Sequence, residues 1–272
     1  ALARLPYQPG LDIEVGQAIG DVLARASGPA VLTQLAGFAT SDTRWHRRLV
    51  AAACGEMAQR PGLGRMVHEQ LRLWSRQVKP TVRCPVAETC AGSSGLARPT
   101  AAVRLLATVL ERPMADTERI TLTAVSFALS VLLTERPNRP LVLRALTDWL
   151  AADPGSLRHT LAADAVQAMS EQTFPRPGRR GPTKLSLDEL LLDHPEHTVP
   201  LVTHALLTET SHKAVSDRLL ALAAHPDPRR RAALSAVVQE LHRTAPRHRD
   251  AVRFLLRVHR HRTYAAPEED AS

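Results

Sequence analysis

Asp193, His194, Glu196 and His197 lie within five consecutive positions, with His204 and His212 downstream. Such side chains bind zinc when three or four converge tetrahedrally, or a harder cation when oxygens dominate the set. Pro195 and Pro200 make the region a turn, so convergence is sterically open. The sequence contains neither His-Glu-x-x-His nor a Cys-x-x-Cys pair, and the group reads as a solvated connection between two helices. No metal or other cofactor is therefore expected. Phosphate-cradling Gly-x-x-x-x-Gly-Lys-Ser/Thr and the Gly-x-Ser-x-Gly nucleophile elbow are both absent, so no catalytic residue is assigned. Three cysteines, Cys54, Cys84 and Cys90, give an odd count without scaffold spacing. They read as free thiols of a cytoplasmic protein.

Charge is more informative than any motif. The chain carries a formal net charge of +8 over 272 residues. Between His225 and Thr263 ten arginines face only Asp227, Glu240 and Asp250, which places +7 of that surplus in one segment. Arg249, Arg253, Arg257 and Arg260 recur at helical spacing and would share about 80° of a helix. With Arg229, Arg230 and Arg231 they form the candidate surface for an anionic partner: nucleic acid, an acidic protein or anionic lipid. The competing reading is a solvated end-cap, because terminal repeats need a polar outer face. Only Lys79, Lys184 and Lys213 are lysines, an Arg and Ala bias that reads as the mark of a GC-rich bacterial genome.

The elements that must position these residues are helices. Aromatics make up 3% of the chain, too few for a β-sandwich or barrel, while Leu, Ala and Val are abundant. Ile120–Leu133 carries no charge and falls short of the roughly 20 residues that cross a bilayer. It is expected as a helix covered on several sides, with Asp116 as its cap. Glu135–Pro140 breaks it, and Leu141–Leu150 follows with an apolar stripe of Val142, Leu146, Trp149 and Leu150. Arg144 and Asp148, four apart, are expected to pair.

Further helices are expected at about 12–26 and 29–39, then one capped by Ser41-Asp42 and carrying Trp45 to Met57, and another from Met66 to about Gln77. Val78–Ala91 reads either as a loop or as a short helix with Pro85 in its first turn. On the second reading Cys84 and Cys90 point to different faces and cannot bridge. Leu96–Arg112 and Ser156–Gln172 are amphipathic. Phe174–Lys184, with its prolines, glycines and basic residues, is expected as an exposed, mobile loop. Leu185–Leu192 and about 198–209, 212–224, 228–244 and 247–262 complete the helices. No signal peptide or membrane span is visible in this stretch of sequence. Ala1-Leu2-Ala3-Arg4 reads as the interior of a longer chain.

Helical pairs start near residues 42, 80, 116, 155 and 198, separations of 36 to 43 residues that approach the roughly 40 of helical-hairpin repeats. His225-Pro226-Asp227-Pro228-Arg229-Arg230-Arg231-Ala232-Ala233-Leu234 resembles the turn and first helix of a HEAT repeat, with Asp-x-x-x-Arg-x-x-Ala-Ala as its typical core. Thr43–Ala53 is a looser echo. The resemblance to HEAT/armadillo-like α-solenoids covers most of residues 42–262. It implies a stack of about six helical hairpins used as an interaction surface, and carries over no catalytic residue. HEAT-like DNA glycosylases use an acid with aromatics in a concave groove, which raises Asp148-Trp149 as a candidate pair. Neighbours on a helix point about 100° apart, however, and Trp149 belongs to the apolar stripe.

The expected organisation is all-α: an N-terminal helical cap at 1–41, repeats at 42–172, an irregular loop at 173–197, basic repeats at 198–263 and a disordered tail at 264–272. The expected function is a non-enzymatic scaffold or interaction module, part of a larger bacterial protein, with a protein partner. The alternative is a nucleic-acid-binding protein, including a DNA-repair glycosylase of HEAT-like fold.

Overall fold

Proline or glycine stands at the start of many of the helices, although Gly16, Gly20, Gly37, Gly55, Pro85 and Pro200 lie inside them. In the computed structural model the described residues are 11–26, 29–40, 43–60, 62–92, 98–111, 119–171, 175–176, 183–184, 186–208, 219–220 and 228–244. They form α1 (Leu11–Ala26), α2 (Pro29–Ala39), α3 (Arg44–Ala58), α4 (Gly64–Ser75), α5 (Pro80–Ala91), α6 (Pro99–Val109), α7 (Arg119–Thr134), α8 (Arg139–Leu150) and α9 (Leu157–Ser170). After them come β1 (Pro175–Arg176), β2 (Thr183–Lys184), α10 (Leu187–Asp193), α11 (Pro195–Thr208) and α12 (Pro228–Thr244). Among the described residues the fold is all-α, apart from the pairing of β1 with β2. Proline opens α2, α5, α6, α11 and α12, where a missing amide costs nothing and a fixed φ favours the helix. Gly62 takes a φ of 85° in the turn between α3 and α4, a conformation that disfavours side chains.

The chain divides into two units, one of residues 1–162 with 175–183, the other of 163–174 with 184–272. In the first unit the odd-numbered helices pack in succession, α1 on α3, α3 on α5 and α5 on α7. The even-numbered helices do the same, α2 on α4, α4 on α6 and α6 on α8. Along α1, Gly16 and Gly20 let the backbone approach α3: a Cβ built on Gly16 would meet the Cβ of Ala52 at 2.6 Å.

The helix most enclosed is α5, which touches α2, α3, α4, α6 and α7. Val82, Arg83, Cys84, Pro85, Val86, Ala87, Thr89 and Cys90 are all buried. This resolves the ambiguity at Val78–Ala91. The helix starts at Pro80, so Pro85 is interior rather than in the first turn. An interior proline costs a helix about 3 kcal/mol, and burial on all sides offsets it. The Thr89 hydroxyl donates to the Pro85 carbonyl at 2.7 Å.

α7 is less enclosed than its uncharged sequence suggests. Ala124, Val125, Ala128, Leu129, Leu132 and Leu133 are buried, but Ile120 and Phe127 are 55% and 48% exposed. The hydroxyls of Thr123 and Ser130 are satisfied by their own helix, donating to the Arg119 and Phe127 carbonyls. A helix can thus be uncharged on its wet side as well as its dry one.

Carbonyls at helix C-termini have no partner within the helix, and here arginines supply one. Arg83, only 1% exposed, donates to the Val109 carbonyl at the end of α6. Arg158 donates to Ala107 in the last turn of α6 and to the Glu111 carboxylate just past it. Arg139 donates from Nε to the Leu133 carbonyl of α7 at 3.1 Å.

In the second unit α10, α11 and α12 pack on one another through Leu187, Leu190, Leu201, Leu206, Val237 and Leu241. The Ser186 hydroxyl accepts from the Asp188 amide and caps α10. The expected cap Ser41-Asp42, the cap Asp116, the helix at 247–262 and most of that at 212–224 lie outside the described residues. Thr43 occupies the N-cap of α3. Within the stretch expected as an irregular loop, Pro175–Arg176 pairs with Thr183–Lys184, and β1 packs on α7. Among the described residues, no helix is long and apolar enough to cross a membrane.

Candidate functional site

The acid–histidine group sits at the α10–α11 junction. Asp193 ends α10, Glu196 and His197 lie in the first turn of α11, and the His194 carbonyl accepts from Thr198. His197 Nε2 stands 3.7 Å from Glu196 Oε1. Among the described residues, no group of three or more His, Cys, Asp or Glu is placed to hold a metal ion. His212 lies outside them.

The three cysteines are free and buried. Burial pushes the Cys54 and Cys90 thiols up to about 12. Cys84 also rises to about 12, first by burial and then by the adjacent Glu88 carboxylate, with Arg47 opposing. A thiol is a nucleophile only as thiolate, so none of the three is activated at neutral pH.

Trp149 is buried and Asp148 exposed, so the two diverge as helical geometry requires and no acid–aromatic groove forms at this pair. The expected Arg144–Asp148 ion pair does not form, and both side chains extend into solvent. An exposed pair gains little Coulomb energy for the rotamer entropy it loses. Arg229 is exposed in the first turn of α12, and Arg230 and Arg231 follow on the same turn. Arg249, Arg253, Arg257 and Arg260 lie outside the described residues. Arg243 is committed to Glu240 through two hydrogen bonds of 2.6 and 3.1 Å. Those bonds hold the Glu240 carboxyl below its usual range.

The packing of α3 on α5 assembles a polar cluster that the sequence did not single out. Glu88 lies half-buried on α5, and Cys84 Sγ, one turn back, donates to Glu88 Oε1 at 3.8 Å. Glu88 Oε2 is closed from solvent and has no hydrogen-bond partner among the described residues. Burial raises the Glu88 carboxyl above its ordinary range, while the charges of Arg47, Arg48 and Arg44 on α3 oppose that rise. The cluster sets a carboxyl of raised proton affinity beside a thiol. It generates no nucleophile, because the neighbouring thiol is itself held protonated. The only local signals were the i, i+4 spacing of Cys84 and Glu88 and the Arg44, Arg47, Arg48 grouping.

A second feature lies on the outer side of α4. Arg65, Glu69, Arg72, Leu73 and Arg76 are exposed and span about 100° of the helix. Val78 and Lys79, also exposed, continue from it in the turn to α5. Arg72 pairs with Glu69 at 2.9 Å. No protein-family model, curated protein or solved structure matches this chain.

Proposed function

We propose that this chain is a non-enzymatic helical-repeat module that binds a protein partner, with its helices stacked as about six hairpins in a HEAT-like α-solenoid. The observation that carries this reading is the two-layer succession in the first unit, α1–α3–α5–α7 beside α2–α4–α6–α8. In such a stack each helix packs on the one before and the one after in its own layer. The helices at the outside of the stack each leave one side outward, and the row of outward sides is a long binding surface. The exposed Ile120 and Phe127 on α7 support the reading, since they are large apolar side chains spent on a wet face.

Crosslinking of the tagged chain in cells that encode it, followed by mass spectrometry, tests this. The expected result is one protein partner recovered in stoichiometric amount, with crosslinks on outward residues of the helices. Recovery of the chain alone, or turnover of a substrate by the purified chain, overturns it.

The second reading is nucleic-acid binding, and the exposed Arg229 at the start of α12 favours it. It calls for duplex or single-stranded binding that weakens steeply with salt.

A further inference from the structure

We propose that the outer face of α4 and the turn after it bind an acidic protein segment that carries aliphatic side chains. This deepens the reading of the chain as a protein-binding module and names the chemistry of the partner at one surface.

Two observations combine. Leu73 and Val78 are 51% and 73% exposed, the second being among the most exposed large apolar side chains in the described residues. Around them stand Arg65, Arg76 and Lys79, all exposed and none in an ion pair among the described residues. Arg72 is already neutralised by Glu69. The face therefore presents three uncommitted cations and two uncovered aliphatic groups. Lys79 is the N-cap of α5, where the helix dipole opposes a cation, whereas Arg76 follows the C-terminus of α4, where it welcomes one. Arg65 is in the first turn, where the dipole opposes it, so its placement does not serve the helix.

From Arg65 to Arg76 the helix runs about 16 Å, the length of roughly five extended residues. An extended acidic segment laid along α4 reaches all three cations and covers Leu73 and Val78 with its own apolar side chains. Nucleic acid suits the face less well. Its backbone would hold Leu73 and Val78 against hydrated phosphate, and the face has no aromatic residue for base stacking. A bilayer suits it less well too. One acyl chain gives only marginal membrane binding, and these two side chains together hold fewer carbons than that chain.

Fluorescence polarisation with labelled peptides of about ten residues tests the proposal. One peptide carries glutamates and two leucines, a second has lysine for each glutamate, and a third has serine for each leucine. Phosphatidylserine vesicles and duplex DNA are run in parallel. The full chain is compared with a charge variant (Arg65→Gln, Arg76→Gln, Lys79→Gln) and an apolar variant (Leu73→Ser, Val78→Ser). All five positions are exposed, so both variants should melt with the parent. The expected result is salt-sensitive binding of the acidic, leucine-bearing peptide by the parent and about tenfold or greater loss in each variant. The lysine and serine peptides should bind more weakly than the first.

Absence of binding by the parent overturns the proposal, as does equal binding by the variants. So does binding of vesicles or DNA through these five residues without the peptide. A partner crosslinked only to other helices, with no peptide binding, overturns this surface and leaves the module reading standing. Absence of any partner in the crosslinking experiment overturns the module reading itself.

Discussion

Gly20 on α1 approaches Ala53 on α3 so closely that a Cβ built on the glycine would lie 2.8 Å from the Ala53 carbonyl oxygen. Helix propensity and packing therefore make opposite forecasts for Gly20→Ala. Propensity alone promises a gain of about 1 kcal/mol. Overpacking a close backbone contact costs about 1–3 kcal/mol. The melting temperature should fall. Gly37 on α2 is the control, because a Cβ there meets nothing within 4 Å, and Gly37→Ala should raise it. A rise for both would mean that α1 and α3 are not in contact.

Leu129 and Phe127 sit two residues apart on α7 with opposite environments, one fully buried and the other half exposed. Leu129→Ala should cost about 2–5 kcal/mol, as large-to-small core changes do. Phe127→Ser should stay within about 0.5 kcal/mol of the parent, as surface changes do. Urea unfolding of both variants checks the pair. Equal losses would place Phe127 in a core.

Arg158 donates to Ala107 and Glu111 and so closes the C-terminal end of α6. Arg158→Met keeps much of the aliphatic stem and removes the donors. The loss expected is about 1.5–3 kcal/mol, the range for hydrogen bonds to charged groups. Urea titration measures it, and a loss below about 0.5 kcal/mol would show the bonds to be unimportant.

Glu88 links stability to pH. Its folded carboxyl is raised above the ordinary value of 4.5, so the folded state binds the proton more tightly than the unfolded one. The contribution is present below 4.5 and is lost as pH rises through the raised value. The buried thiols act alike at the alkaline end: they stay protonated to about 12, while unfolded thiols ionise near 9.0. Stability should fall between those two values. Melting against pH is the measurement, and Glu88→Gln should flatten the acid-side slope while leaving the alkaline one. An unchanged acid slope would contradict the assignment. Iodoacetamide at pH near 8 should leave the folded thiols untouched and modify three sites after denaturation.

The sequence by itself determined the helices whose two sides differ chemically. α3, α4, α6 and α8 alternate apolar and polar residues at helical spacing, so their presence was legible and their bounds to within about three residues, with the buried Trp45 and Trp149 among the residues read on them. Only the tertiary structure decided α5 and α7. A helix enclosed on all sides, such as α5, carries no polar stripe to contrast with its apolar one, and Pro85 made it resemble a loop. α7 was uncharged throughout, yet its wet face could be identified only from which neighbours pack on it. The meeting of Glu88 with Arg44, Arg47 and Arg48 was equally hidden, because it depends on α3 lying against α5 across about 40 residues of chain, and local propensity carries no information about such contacts. The uncommitted cations on α4 were visible as letters. That Glu69 neutralises Arg72 and leaves Arg65, Arg76 and Lys79 unpaired followed from the rotamers and neighbours that the fold imposes.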